Sequence, residues 1–255
     1  CDLIDNDAEL GGGADHDILN DEFFEKLLAR VKRADYYAII AAPPCSTFSI
    51  SRFIHSPDSR DGGPPAVRDR QHIHGLTNTP AKHRRELLRA NAVVARTALL
   101  LSAGFDVGTE FMIENPSDRG DRKHPRLFID DQHGPIWLMP EILELGKMAS
   151  THTVSVPQCV FGAPYQKLTS FMFSAGFDEW MLPLRKLECT HESHDETAGG
   201  VRDKDGKWSS AAAAAYPPNL NLYLAKAVAG IRGSTVTGSD PEELTVAEAT
   251  TPARK

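Results

Sequence analysis

A chain of 255 residues, 41% hydrophobic and 25% charged, suits one globular domain with a core of its own and flexible ends. A formal net charge of -7 excludes a surface coated throughout for nucleic acid; no apolar run approaches the length that spans a bilayer, and the first residues lack the basic-then-apolar layout of a signal peptide. Four scattered cysteines, Cys1, Cys45, Cys159 and Cys189, read as reduced thiols of an intracellular protein, cytoplasmic or nuclear, with no membrane partner.

Leu3 and Ile4, between Asp2 and Asp5, read as the end of a strand, and glycines 11–13 as a loop. Asn20 suits an N-cap, so a helix is predicted over 21–33, with Phe23, Phe24, Leu27, Leu28 and Val31 on its buried face. Residues 37–42 form an almost unbroken apolar run, the pattern of a strand covered on both faces in a parallel sheet. Pro43 and Pro44 have no N–H for a ladder and end it, which puts Cys45 just past a strand's carboxyl end, the edge where open α/β sheets collect reactive groups. A cysteine there is either a small hydrophobe packed at the core's margin or a nucleophile, and the hydroxyl-rich STFS that follows favours the nucleophile.

Residues 46–79, rich in proline, glycine, arginine and histidine without a period, read as a substrate-facing lid. A helix is expected over 80–102, with Leu87, Asn91, Val94, Ala98 and Leu101 on one face and Gly104 as its stop. Phe111-Met112-Ile113 reads as the next strand, ending in Glu114-Asn115-Pro116, so two strands bring chemistry to one edge. A short helix over 140–148, strands over 153–156 and 169–173 around a Gly-Ala-Pro turn, and a last helix over 218–231 complete a domain of residues 1–232; the tail, 233–255, reads as disordered. Helices alternating with strands imply an α/β fold with a doubly wound, mostly parallel sheet.

Two basic clusters stand out against the acidic mean. Between residues 52 and 89 eight arginines and lysines (Arg52, Arg60, Arg68, Arg70, Lys82, Arg84, Arg85, Arg89) face four acids, and Arg119, Arg122, Lys123 and Arg126 form a second group. Either could meet a phosphate backbone or be an ordinary solvated loop, and both readings stay open. Cys189, His191 and His194, in a loop over 188–210, are likewise either three ligands of a structural zinc, completed by Cys159 or a carboxylate, or a polar loop.

The order strand-PPC, strand-ENP and then FGAPYQKLTSF resembles the cytosine-5 DNA methyltransferases over residues 3–173; the CxHxxH segment and AAAYPP look still more like the divergent domains of that kind in mobile-element and phage polyproteins. The resemblance implies a Rossmann-like class I methyltransferase domain that moves a methyl group from S-adenosylmethionine to carbon-5 of cytosine in nucleic acid, with DNA the expected partner. Cys45 then matches the nucleophile that adds to carbon-6, and Glu114 the acid at the adjacent ring nitrogen. Lys167 stands where the family has the first arginine of PQxRxR, and Tyr165 and Thr169 replace its glutamine and second arginine. Asp5, Asp17 and Pro43 fall where the cofactor is held, and Ser46, Ser49, Arg52, Asn115 and Arg119 where a flipped base and its backbone are held. No FxGxG turn precedes the PPC strand, which implies a domain truncated at its N-terminus. A non-catalytic nucleic-acid-binding or structural relic of the same fold is the alternative; a cysteine hydrolase and a zinc deaminase lack their local signatures.

Overall fold

In a computed structural model, which describes residues 1–54, 63–120, 128–196 and 213–231, four strands build one open sheet. They are β1 (Ala38–Ala41), β2 (Glu110–Pro116), β3 (His152–Pro157) and β4 (Leu168–Phe173), in the spatial order β1-β2-β4-β3. Five helices accompany them among the described residues: α1 (Asp21–Lys32), α2 (Ala81–Phe105), α3 (Pro140–Leu145), α4 (Asp178–Met181) and α5 (Pro218–Ile231). The α/β class is therefore as expected, but the sheet is mixed rather than mostly parallel. Only β1 and β2 run parallel; β2 with β4 and β3 with β4 are antiparallel. The reason lies in the connections. β1 and β2 are separated by α2, long enough for a crossover, whereas β3 reaches β4 through residues 158–167, which hold one 3-10 turn, Gln158–Phe161, and only a return connection fits.

The side-chain period of two divides β2 between two cores. Phe111 and Ile113 pack on one face with Val94, Ala98 and Leu101 of α2 and Ile142 and Leu145 of α3. Met112 packs on the other with Phe171 and Phe173 of β4, Met181 of α4 and Leu220 and Tyr223 of α5. Continuing the alternation puts Glu114 on the α5 side and Asn115 on the α2 side. All six residues of β4 are buried, which suits its place between two neighbours.

Helix α1 begins as read: Asn20 Oδ1 accepts from the Phe23 N–H at 3.1 Å, and Phe24, Leu27, Leu28 and Val31 pack against Leu100 and Ala103 of α2. Helix α2 departs from the reading at its end. It runs through Gly104 to Phe105, and Gly108, at φ 84°, turns the chain. Gly104 answers a packing need instead, since a Cβ there would sit 3.0 Å from Ile39 Cδ1 and 3.3 Å from Thr109 Cβ. By length and composition α2 also meets the test for a membrane-spanning helix, the one described helix that does; 56% of its apolar window is buried inside the protein.

Two further expectations are corrected. Leu3 and Ile4 are not in a strand; the chain there is irregular, and Leu3 is exposed. Strand β1 is an edge of the sheet, with Ile40 49% exposed, so it is not covered on both faces. The tail from 233 and most of the loop over 188–210 lie outside the described residues.

Leu101, fully buried between α2 and the sheet, carries the larger core. Leu101→Ala is expected to cost about 2–5 kcal/mol in urea denaturation, through lost burial and the cavity left behind. Gly104→Val should cost about 1–3 kcal/mol more than an exposed substitution, by overpacking against Ile39.

Candidate active site

The parallel register pairs Ala41 with Ile113, so the next residues of each strand, Pro43-Pro44-Cys45 and Glu114-Asn115, leave the same edge side by side. Two clamps hold the cysteine loop there. On the upstream side Asn115 Nδ2–H donates to the Pro43 carbonyl at 2.9 Å. On the downstream side Arg52, its side chain almost wholly buried, donates from Nε to the Ser46 carbonyl at 2.6 Å, from Nη1 to the Pro65 carbonyl at 3.0 Å and from Nη2 to Glu86 Oε1 at 2.5 Å. Ser46 Oγ–H donates to the same Glu86 oxygen at 2.9 Å. The Cys45 carbonyl accepts from the Phe48 N–H at 2.9 Å, closing a tight turn, and Thr47 is fastened beneath it by Arg68 Nη2 at 2.8 Å. Arg68 itself lies under the loop with its guanidinium 3.8 Å from the centre of the Phe48 ring.

Behind Cys45 stands a buried polar group. Glu114 is 7% exposed, and the hydroxyls of Tyr216 and Thr169 both favour its charged form. Thr169 Oγ1 accepts from Gln158 Nε2 at 2.8 Å, which ties the Gln158 side chain to β4. The register explains why Thr169 is there: Glu114 pairs with Phe171, and Thr169 is two residues along β4, on the same face. Lys167 acts electrostatically on both Cys45 and Glu114; its Nζ donates to the Ala213 carbonyl at 2.7 Å and lies 5.9 Å from the centre of the Tyr216 ring.

These neighbours set the charges. Burial pushes the Cys45 thiol up from its ordinary value, the Lys167 ammonium pulls it down, and Glu114 pushes it up again. Burial likewise raises the Glu114 carboxyl, against the pull of the Tyr216 hydroxyl, Lys167 and Thr169. Burial raises the Tyr216 phenol, and the Glu114 carboxylate adds to it, so Tyr216 stays a hydrogen-bond donor. Three buried polar atoms here, Glu114 Oε1, Asn115 Oδ1 and Gln158 Oε1, have no hydrogen-bond partner among the described residues. Unmet acceptors in a buried group are costly unless something occupies them.

Two cavities flank this group. One, of about 250 Å³, is lined by Pro43 and Pro44 together with Asp5, Asp17 and His16. The other, of about 330 Å³, is lined by Lys167, Ser49, Arg119, Ser117, His194 and Glu196, among others. Asp5, Asp17 and Pro43, singled out from the sequence as one set, thus share one cavity. Asp17 is already engaged: Oδ1 accepts from the Leu19 N–H at 2.9 Å and Oδ2 pairs with Arg89 at 2.8 Å. Ser49 and Arg119 line the other cavity, with Arg119 Nε donating to the Phe128 carbonyl at 3.1 Å. Arg52, Asn115 and Ser46 clamp the cysteine loop in the structure, and their expected place on a substrate stays a proposal. Tyr216, Thr169 and Gln158 are site residues that the sequence left without a role. For Tyr216 the signal was its position alone between an alanine run and Pro217-Pro218; for Gln158 nothing local marked it.

The basic stretch over 52–89 is largely used inside the protein. Arg52 pairs with Glu86, Arg70 with Asp118 at 2.7 Å, and Arg89 with Asp17, while Arg68 is buried. Lys82, Arg84 and Arg85, at the start of α2, are exposed. Arg60, Arg122, Lys123 and Arg126 lie outside the described residues. Compared with known proteins, the chain matches no family model, no curated protein and no solved structure.

The charge arrangement is testable by alkylation of Cys45 followed by peptide mass spectrometry across pH. The reactivity of Cys45 should rise only above the pH at which an ordinary thiol reacts. Glu114→Gln removes a negative neighbour and should move the curve to lower pH, whereas Lys167→Met should move it higher. Curves that coincide in all three proteins would show that the groups do not act on one another.

Proposed function

We propose that this protein is a Rossmann-like methyltransferase domain that methylates carbon-5 of cytosine in nucleic acid, with DNA the expected substrate, through a covalent adduct on Cys45. The observation that carries the proposal is the placement of Cys45 and Glu114 where two parallel strands end side by side, with Lys167 acting on both and lining one cavity while Pro43 and Pro44 line another. A one-cavity hydrolase has no use for the second.

S-adenosylmethionine would supply an electrophilic methyl group, and the smaller cavity suits its nucleoside end in chemistry. Carboxylates of Asp5 and Asp17 match ribose hydroxyls, the apolar side chains of Ile18, Leu27 and Ile39 match an adenine face, and His16 Nδ1 is a buried polar atom without a partner among the described residues. Arg89 and Pro44 close the same cavity.

The chain's own groups account for the rest. Cytosine is a weak nucleophile at carbon-5 until a thiolate adds to carbon-6, so Cys45 must first lose its proton to water, and Lys167 stabilises the thiolate that results. As the Cys45 sulfur bonds carbon-6, electrons move onto the ring nitrogen, and the raised carboxyl of Glu114 is suited to meet that charge with a proton. Tyr216, Lys167 and Thr169 favour the charged form that Glu114 is left in once its proton has gone. After methyl transfer, water takes the carbon-5 proton, the electron pair left behind expels the Cys45 thiolate, and the ring nitrogen returns its proton to the Glu114 carboxylate, which restores the aromatic ring. A base inside a duplex is out of reach, so the substrate must be single-stranded or flipped into the cavity of Ser49, Arg119 and Lys167.

A second reading, a non-catalytic relic of the same fold, is favoured by one observation: the ion pair of Asp17 with Arg89 engages a carboxylate that a cofactor would need. Trapping separates the two. An oligonucleotide containing 5-fluorocytosine, incubated with S-adenosylmethionine, should form a covalent adduct that survives denaturation. Cys45→Ser should abolish it, and Glu114→Gln should lower its rate of formation by about 10²–10⁴-fold, the usual worth of a general acid. Binding of the oligonucleotide without an adduct would decide for the relic, and an undiminished adduct in Cys45→Ser would remove the nucleophile.

A further inference from the structure

We propose that Cys159, Cys189, His191 and His194 form a closed structural zinc site that pins the loop walling the larger cavity. The four side chains come from two segments. Cys159 is buried in the 3-10 turn Gln158–Phe161 that follows β3, and the other three lie on the loop after Leu187. One ligand atom from each residue lies within 4.8 Å of the other three. Cys189 Sγ is 3.5 Å from His191 Nδ1 and 3.4 Å from His194 Nε2. The two imidazole rings have their centres 5.1 Å apart.

Those separations suit a single tetrahedral ion. Zinc lies about 2.3 Å from a thiolate sulfur and about 2.0–2.1 Å from an imidazole nitrogen, and a tetrahedral angle between such bonds puts sulfur and nitrogen about 3.6 Å apart. Two thiolates and two imidazoles also make a donor set that favours zinc over magnesium or calcium, which take oxygen ligands. Four protein ligands leave no open position, so the ion would hold structure and activate no water. All four cysteines are free thiols, and so Cys159 and Cys189 are available as ligands. Binding would release the two thiol protons to water, and the bonds formed are two zinc–sulfur and two zinc–nitrogen.

Position gives the site its consequence. The loop that carries three ligands returns to the sheet side through Glu196, whose N–H donates to the Pro164 carbonyl at 3.0 Å beside the Tyr165–Glu196 bridge. His194 and Glu196 line the same cavity as Lys167 and Arg119. Cys159 adjoins Gln158, which donates to Thr169 on β4, the strand paired with that of Glu114. A zinc ion would therefore tie a loop with little apolar surface to the turn between β3 and β4. The site does not depend on methyl transfer, and its test reads metal directly.

The full chain, expressed without a histidine tag, is stripped with a chelator and titrated with cobalt(II) alone. The expected result is a visible spectrum of four-coordinate cobalt with a thiolate charge-transfer band, an end point at about one equivalent for the one tetrahedral site, and displacement by zinc. Zinc should also raise the melting temperature of the stripped protein. Cys159→Ser should weaken the charge-transfer band and cut affinity by at least about 10–100-fold, the loss that even an outer-shell partner of a metal site causes. Cys1→Ser, which removes an exposed thiol outside the cluster, should change nothing. No four-coordinate spectrum in the wild-type chain, or one that keeps its band and affinity in both Cys159→Ser and Cys189→Ser, would overturn the site.

Discussion

Asn115 donates its side-chain N–H to the carbonyl of Pro43, and the geometry of the site depends on that bond. Two prolines in succession leave the cysteine loop without N–H groups to pair with β2, so the sheet ladder cannot hold it. The amide of Asn115, on the neighbouring parallel strand, supplies from the side what the ladder lacks, and Arg52 secures the other end of the loop on Ser46. Removing both clamps would leave the loop fewer side-chain ties, among them the Arg68 bond to Thr47. The same bond explains why Glu114 and Asn115 serve different ends. On a strand they face opposite sides, so the carboxyl enters the α5 side while the amide reaches the loop.

Burial then decides the chemistry of the groups so positioned. A thiol, a carboxyl and a phenol are all raised by desolvation, and Lys167 is the one ammonium that acts on both Cys45 and Glu114 among the described residues. Raised groups gathered in one place mark a candidate site for moving protons. The unpartnered oxygens of Glu114 and Asn115 belong to the same design: acceptors withheld from the protein's own hydrogen bonds are available to something else. Under the methyltransfer proposal that partner is the ring of a cytosine.

The cationic residues show how little a local charge count decides. Several arginines of the 52–89 stretch are bound within the fold, where Arg52 and Arg68 brace the cysteine loop and Arg70 holds Asp118. Asp118 is held down to about 2, chiefly by His133 and Arg70 working against its own burial. What remains of that stretch for a phosphate backbone, among the described residues, is the start of α2, with Lys82, Arg84 and Arg85 exposed. Affinity for nucleic acid, under the proposal, would rest more on the cavity beside Lys167 than on a broad positive face.

The strands, the long helix and the capped helix α1 were legible in the sequence because they depend on short-range rules: apolar periodicity, an asparagine cap, prolines that stop a strand. Cys45 and Glu114 were legible for the same reason, since each ends an apolar run. Pairing was not. Whether β4 enters the sheet beside β2, and in which direction, depends on the return connection after β3 and on burial of all six of its residues, and neither is a property of one segment. Tyr216 and Thr169 act on Glu114, and Gln158 on Thr169, only through strand pairing and the docking of α5, from 44 to 102 positions beyond Glu114 along the chain. Cys189, His191 and His194 carried a spacing that suggested a metal, but Cys159 joins them across thirty residues because the 3-10 turn after β3 brings it there. Local sequence selects the elements and the reactive groups; which of those groups share a site is decided by tertiary packing, because burial and hydrogen bonding act on whatever the fold brings within reach.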